Sequence, residues 1–179
     1  MILGLDVSTS ITGVTILDEG GNTLFCDMWD TRNKNKFPTL YEKADFIRRQ
    51  FIYLEEKHRV DSIFIEQSLQ SFKSGFSSAK TLSTLSRFNG MISLLSFQMF
   101  NRKPEMIAAS SARKICGIKV QRGEKAKEKV LQYVLDNIPA FEVEYTKAGN
   151  PKPGSYDRAD SWIIAKAGLE TWKQKNSTS

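Results

Sequence analysis

Residues 2–6 read Ile2-Leu3-Gly4-Leu5-Asp6, an apolar run that ends abruptly in a carboxylate. Side chains alternate along a strand, so Ile2 and Gly4 share a face with Asp6, and the acid leaves the sheet at the strand's carboxyl end. Open α/β sheets build their sites at that edge. The same pattern returns in Ser62-Ile63-Phe64-Ile65-Glu66. One such acid can be an Asp accepting backbone bonds in the following turn. Two neighbouring strands that each end in a carboxylate are harder to read that way.

The segments between these runs set the topology. Ile2 to Val7 and Thr12 to Leu17 read as strands joined by Ser8-Thr9-Ser10, and Gly20-Gly21-Asn22 returns the chain antiparallel through Thr23 to Trp29. Thr31 to Lys36 is a polar, basic loop. From Pro38 to His58, Leu40, Ala44, Ile47, Phe51 and Leu54 recur at helical spacing. A helix between the hairpins and residues 60–66 makes that strand parallel to the first.

Gln67 to Phe76 is a Ser-rich loop. Leu82, Leu85, Phe88, Ile92, Leu95 and Met99 then mark a long helix, 77–100, that is almost without charge. Such a helix is either deeply buried or packed on a second copy of the chain. Glu105 to Ala108 is a candidate fifth strand, residues 110–115 and 123–137 are candidate helices, and 139–156 is a Pro- and Gly-rich loop. In the last helix, 156–172, Asp157 and Asp160 project from one face, with Cβ atoms about 5–6 Å apart. Asp157 has a second reading as a helix cap. Asp160 sits deeper, between Ala159 and Trp162.

If these four acids converge, divalent cations are the natural means of neutralising them. Charge elsewhere complements that picture. The chain carries a net charge of +6 over 179 residues. Residues 102–129 hold nine basic side chains (Arg102, Lys103, Arg113, Lys114, Lys119, Arg122, Lys125, Lys127, Lys129) against Glu105, Glu124 and Glu128, which equals the whole excess. A basic stretch near an acidic site suits a polyanion held by its phosphates; on charge alone a solvated helix face is the other reading. The 40% apolar and 26% charged composition is that of a globular chain. No run of about 18 apolar residues occurs, and there is no basic leader, so the expected setting is soluble and cytoplasmic, without a membrane. Cys26 and Cys116 lack zinc-site spacing and read as reduced, apolar side chains, and His58 as a helix C-cap. The expected organisation is one domain, 1–175, with residues 176–179 as a flexible tail.

The ordered series of strand-Asp (Ile2-Leu3-Gly4-Leu5-Asp6), strand-Glu (Phe64-Ile65-Glu66-Gln67) and helix Asp-x-x-Asp (Tyr156-Asp157-Arg158-Ala159-Asp160-Ser161) resembles the Holliday-junction resolvases of the RuvC type, in the RNase H-like nuclease superfamily. The resemblance spans nearly the whole chain. It implies an α/β, RNase H-like five-stranded mixed sheet, first three strands antiparallel and last two parallel, with helices on both faces. It implies that Asp6, Glu66, Asp157 and Asp160 are catalytic and bind two Mg²⁺ or Mn²⁺ ions, about 3.5–4 Å apart. Hydrolysis would leave 5′-phosphate and 3′-hydroxyl ends.

The implied partners are branched DNA, in particular the four-way junction, and a second copy of the chain. Arg113, Lys114, Lys119, Arg122 and Lys125 would hold the DNA backbone. Leu82, Leu85 and Ile92 lie on the segment matching the family's dimer helix. Phe72 with Lys73, or Leu69, occupies the region where an aromatic wedges the junction in some relatives. The first turn departs from the family's Asp-Pro-Gly, reading Asp6-Val7-Ser8. Three other readings stand beside this one: an RNase H-like nuclease acting on flaps, forks or RNA/DNA hybrids; an actin-like kinase or ATPase, faintly suggested by residues 5–13; and a DNA-binding homologue without catalysis.

Overall fold

The computed structural model describes residues 1–67 and 79–177. Five strands, β1 (Ile2–Asp6), β2 (Ile11–Leu17), β3 (Thr23–Asp30), β4 (Ser62–Glu66) and β5 (Glu105–Ile107), form one sheet in the order β3-β2-β1-β4-β5. β1 pairs antiparallel with β2, and β2 with β3, whereas β1–β4 and β4–β5 are parallel. This is the expected mixed sheet. Because β2 runs opposite to both neighbours, β1, β3, β4 and β5 all finish at one edge, and Asp6, Asp30, Glu66 and Ile107 share it.

Alternation sorts the strand residues between two layers. Leu3, Leu5, Val14, Ile16, Ile63 and Ile65 pack under α1 (Leu40–Lys57) and α2 (Ala79–Phe100), meeting Ile47, Phe51, Leu54, Phe88 and Ile92. Thr39 starts α1 with a capping box: its hydroxyl accepts from Tyr41 N–H, and the Glu42 carboxylate reaches back to its backbone N–H. Ile2, Leu17 and Phe64 face the other way, onto α5 (Ser155–Ser177), which is itself covered by α3 (Ala109–Ile115) and α4 (Ala126–Asn137). α5 is therefore buried on two sides, and Ile164, Ala165 and Gly168 join the expected stripe of Ala159, Trp162, Ile163, Ala167 and Leu169.

Two expectations change. α5 continues to Ser177, so Asn176 and Ser177 form a last helical turn where a loose tail was expected; their side chains bond back to the Trp172 and Lys173 carbonyls, and Lys175 pairs with Glu105 at 2.6 Å. Ile92, expected at an interface between copies, is fully buried between α2 and the sheet and cannot form one. Leu82 and Leu85 are half-buried, while Ser83, Gly90, Leu94 and Phe97 line the open face of α2. Among the described residues no helix is long and apolar enough to cross a membrane.

Candidate active site

Asp6 and Glu66 end adjacent parallel strands, in register through Leu5 and Ile65. What brings α5 to them is the absence of side chains. A Cβ on Gly4 would lie 2.4 Å from the Ala165 nitrogen, and one on Gly13, opposite Asp6 on β2, would lie 1.9 Å from the Asp157 carbonyl oxygen. Both distances are impossible for real atoms, so only glycine lets the helix settle onto β1 and β2. Thr15 and Ser161, both buried, lock it there with a 2.9 Å hydroxyl–hydroxyl bond, and the Trp162 indole N–H donates to Thr23 Oγ1 at 2.9 Å. Asp157 and Asp160 are thereby delivered over the strand ends.

The turn after Asp6 is built without Pro-Gly. Ser8 Oγ accepts from Ser10 N–H and Ile11 N–H and donates to the Ile11 carbonyl, so its hydroxyl closes the turn. On the other side, Asn89 of α2, buried, donates its side-chain N–H to the Glu66 carbonyl at 3.0 Å. This polar contact ties an otherwise apolar helix to the end of β4.

All four acids are harder to ionise than ordinary carboxylic acids. Burial is the first cause for each. Asp6 is raised further by Glu66, Asp160 and Asp157; Glu66 is pushed up to about 7, with Asp160 contributing, and Asp160 to about 6, with Asp157 contributing. Asp157, flanked by Asp30 and Arg32, is raised less. Asp6 feels all three of the others, Glu66 feels Asp160, and Asp160 feels Asp157, so acids from residues 6 to 160 come within electrostatic reach of one another. The donor set is oxygen only, which fits a hard divalent cation of the Mg²⁺ class. As the side chains stand, no three His, Cys, Asp or Glu among the described residues close on one point as a metal's ligands would.

Sequence reasoning missed the principal cation at this site. Lys127, in the first turn of α4, lowers the pKa of all four carboxylates, and Arg113 lowers those of Glu66 and Asp160. Lys125, the expected candidate, instead pairs with Glu128 at 2.8 Å on the helix surface. The i,i+3 spacing of Lys125 and Glu128 was the available signal. Lys114, Lys119 and Arg122 are exposed and form no ion pair among the described residues. Leu69, Phe72 and Lys73 lie outside the described residues.

The strand order and the two covered faces are those of the RuvC fold. Solved structures that share it include three resolvases. Thermus thermophilus RuvC in complex with a Holliday junction substrate matches with a TM-score of 0.68 at 13% identity, over 96% of this chain and 94% of that one. A second Thermus thermophilus RuvC structure matches with a TM-score of 0.62 at 16% identity, over 97% and 96%. The yeast mitochondrial Holliday junction resolvase Ydc2 matches with a TM-score of 0.61 at 15% identity, over 97% of this chain and 79% of that one. No family model matches the sequence, and no curated protein matches it either. At these identities the likeness is one of fold.

Proposed function

We propose that this protein is a metal-dependent endonuclease that resolves four-way DNA junctions by paired nicks. What supports the reading is that Asp6 and Glu66 end adjacent parallel strands at the carboxyl edge of the sheet, with α5 set against β1 and β2 so that Asp157 and Asp160 raise the Asp6 pKa. These residues would hold two Mg²⁺ or Mn²⁺ ions, which when bound supply a more acidic water and stabilise the departing 3′ oxygen. The protein's own groups do the rest. The carboxylates offset cation charge and set its position; Lys127 and Arg113, whose charge lowers the pKa of Glu66 and Asp160, hold a phosphate over the site. Lys114, Lys119 and Arg122 grip neighbouring phosphates without reading bases, as point charges do. Phe72 and Lys73 are assigned to the junction's branch point by resemblance.

Paired nicks need two sites, and the open face of α2, with Gly90, Leu94 and Phe97 exposed, supports a homodimer across that helix. One domain acting on DNA inside the cell accounts for these features together. The test is cleavage of a labelled four-way junction with and without Mg²⁺, beside a fork, a flap and an RNA/DNA hybrid. Symmetric nicks with 5′-phosphate ends, on the junction and only with metal, are expected. Preferential cutting of the fork, flap or hybrid would reassign the substrate, and equal cutting in chelator would remove the metal site.

A further inference from the structure

Asp30 ends β3 at the same edge as Asp6, and the loop that follows carries cations for which the site above has no use. This loop is firmly built. Thr31, buried, donates its N–H to the Ser10 carbonyl at 2.8 Å and its hydroxyl to the Thr9 and Ser10 carbonyls, so the loop stands on the turn after Asp6. Asn33 shapes the rest: its side-chain oxygen accepts from Asn35 and Lys36 N–H, and its carbonyl from Lys36 and Phe37 N–H. Phe37 is buried beside Phe46, ring centroids 5.1 Å apart, and Lys43 of α1 donates to the Thr9 carbonyl.

The result is a rigid frame displaying Lys34 and Lys36 to solvent. Arg32 is matched by Asp30 at 2.6 Å, and Glu42 is held by the α1 capping box. Lys34 and Lys36 have no acidic partner among the described residues. The Lys43 ammonium is held below its ordinary pKa first by burial and then by Lys34, with Asp30 acting the other way. Positive charge gathered on an ordered loop beside an acidic centre is what a chain of phosphates relieves.

We propose that residues 31–37, with Lys43, form a second backbone-gripping surface, which takes the phosphates of the cut strand on the β3 side of the carboxylates while the basic segment 113–127 takes them on the β5 side. The inference rests on the nuclease reading and deepens it. The two basic segments follow the two outermost strands, with Asp6 and Glu66 between them. A strand anchored at one flank alone can swing; a strand anchored at both presents the intervening phosphate to the acids.

The test is junction binding by the full chain across a salt series, with Ca²⁺ replacing Mg²⁺. The double variant Lys34→Gln/Lys36→Gln should flatten the plot of log affinity against log salt by roughly 2, about 0.9 for each phosphate no longer neutralised. Lys34→Arg/Lys36→Arg should restore it. Lys119→Gln/Arg122→Gln should flatten it by a similar and additive amount. A Gln double variant with the wild-type slope overturns the inference; a wild type whose junction binding ignores salt overturns the nuclease reading itself.

Discussion

The two faces of the sheet meet opposite demands. Under α1 and α2, large side chains interlock: Phe51 sits edge-on to Trp29 and Phe100, with ring centroids 5.5 Å apart in both pairs, and Ile47, Leu54 and Ile92 are fully buried. Under α5 large side chains also pack, Ile2, Leu17 and Phe64 against Trp162, Ile163 and Leu169, but the closest approaches are made through small residues, Gly4 and Gly13 against Ala165 and the Asp157 backbone, and acids are crowded at the margin. Both faces hold the fold, but the α5 face also gives up some stability at its margin to place charge. Activity and stability should therefore separate by face.

The largest separation is expected for Asp6→Asn. Cleavage should fall on the order of a thousandfold, while the metal-free protein becomes more stable, since a repelled charge has been removed. A gain of about 1 kcal/mol would raise Tm by roughly 2–4 °C in a chain of this size. Wild-type cleavage rates in this variant would show that the acids do not act together. Next come paired substitutions on the two faces. Phe51→Ala should cost about 3–5 kcal/mol in denaturant unfolding, yet leave cleavage per folded molecule near wild type. Gly13→Ala, which must push the Asp157 backbone away, should cost about 1–3 kcal/mol and also abolish cleavage. Equal activity losses from both would erase the distinction between the faces.

A smaller effect is the pH dependence of the metal-free protein. Glu66 and Asp160 have folded-state pKa values of about 7 and 6, above ordinary values of 4.5 and 3.8. The unfolded chain thus releases these protons first, and folding is penalised progressively as pH rises from about 4 to about 7. Tm measured in chelator should decline across that window by a few degrees. Mg²⁺ should recover more of it at pH 7.5 than at pH 5, because only ionised carboxylates bind the cation well. An unchanged Tm between pH 4 and pH 7.5 would mean the acids are not crowded.

The strands were legible because each is a local signal, an alternating run bounded by turn residues, and the acid at the end of β1 and of β4 was legible with them; the placing of the five strands in one mixed sheet came from the resemblance. Lys127 was hidden because three lysines stand at alternate positions, 125, 127 and 129, all of them exposed, and only the folded structure shows that Glu124 and Glu128 pair with the other two. Ile92 was misassigned because helical spacing marks an apolar stripe without saying what covers it. Gly4 and Gly13 read as interruptions in strands, and their purpose appears only when α5 lies on them.

The smallest effect tests whether the faces communicate. Asn89 belongs to the apolar α1/α2 side, yet its buried amide donates to the Glu66 backbone carbonyl, directly behind a side chain that works on the edge. Asn89→Leu keeps approximate volume and leaves that carbonyl without its donor, at a cost of about 1–3 kcal/mol. If the bond also sets the direction in which Glu66 leaves β4, kcat should drop roughly tenfold, about 1.4 kcal/mol, with KM for the junction little changed. Asn89→Gln, which retains the amide on a longer arm, should recover part of the rate. A variant that loses stability alone would confine α2 to packing and make the two faces independent. A coupled loss would mean that the helix whose outer face is open also governs how the acidic centre is aimed.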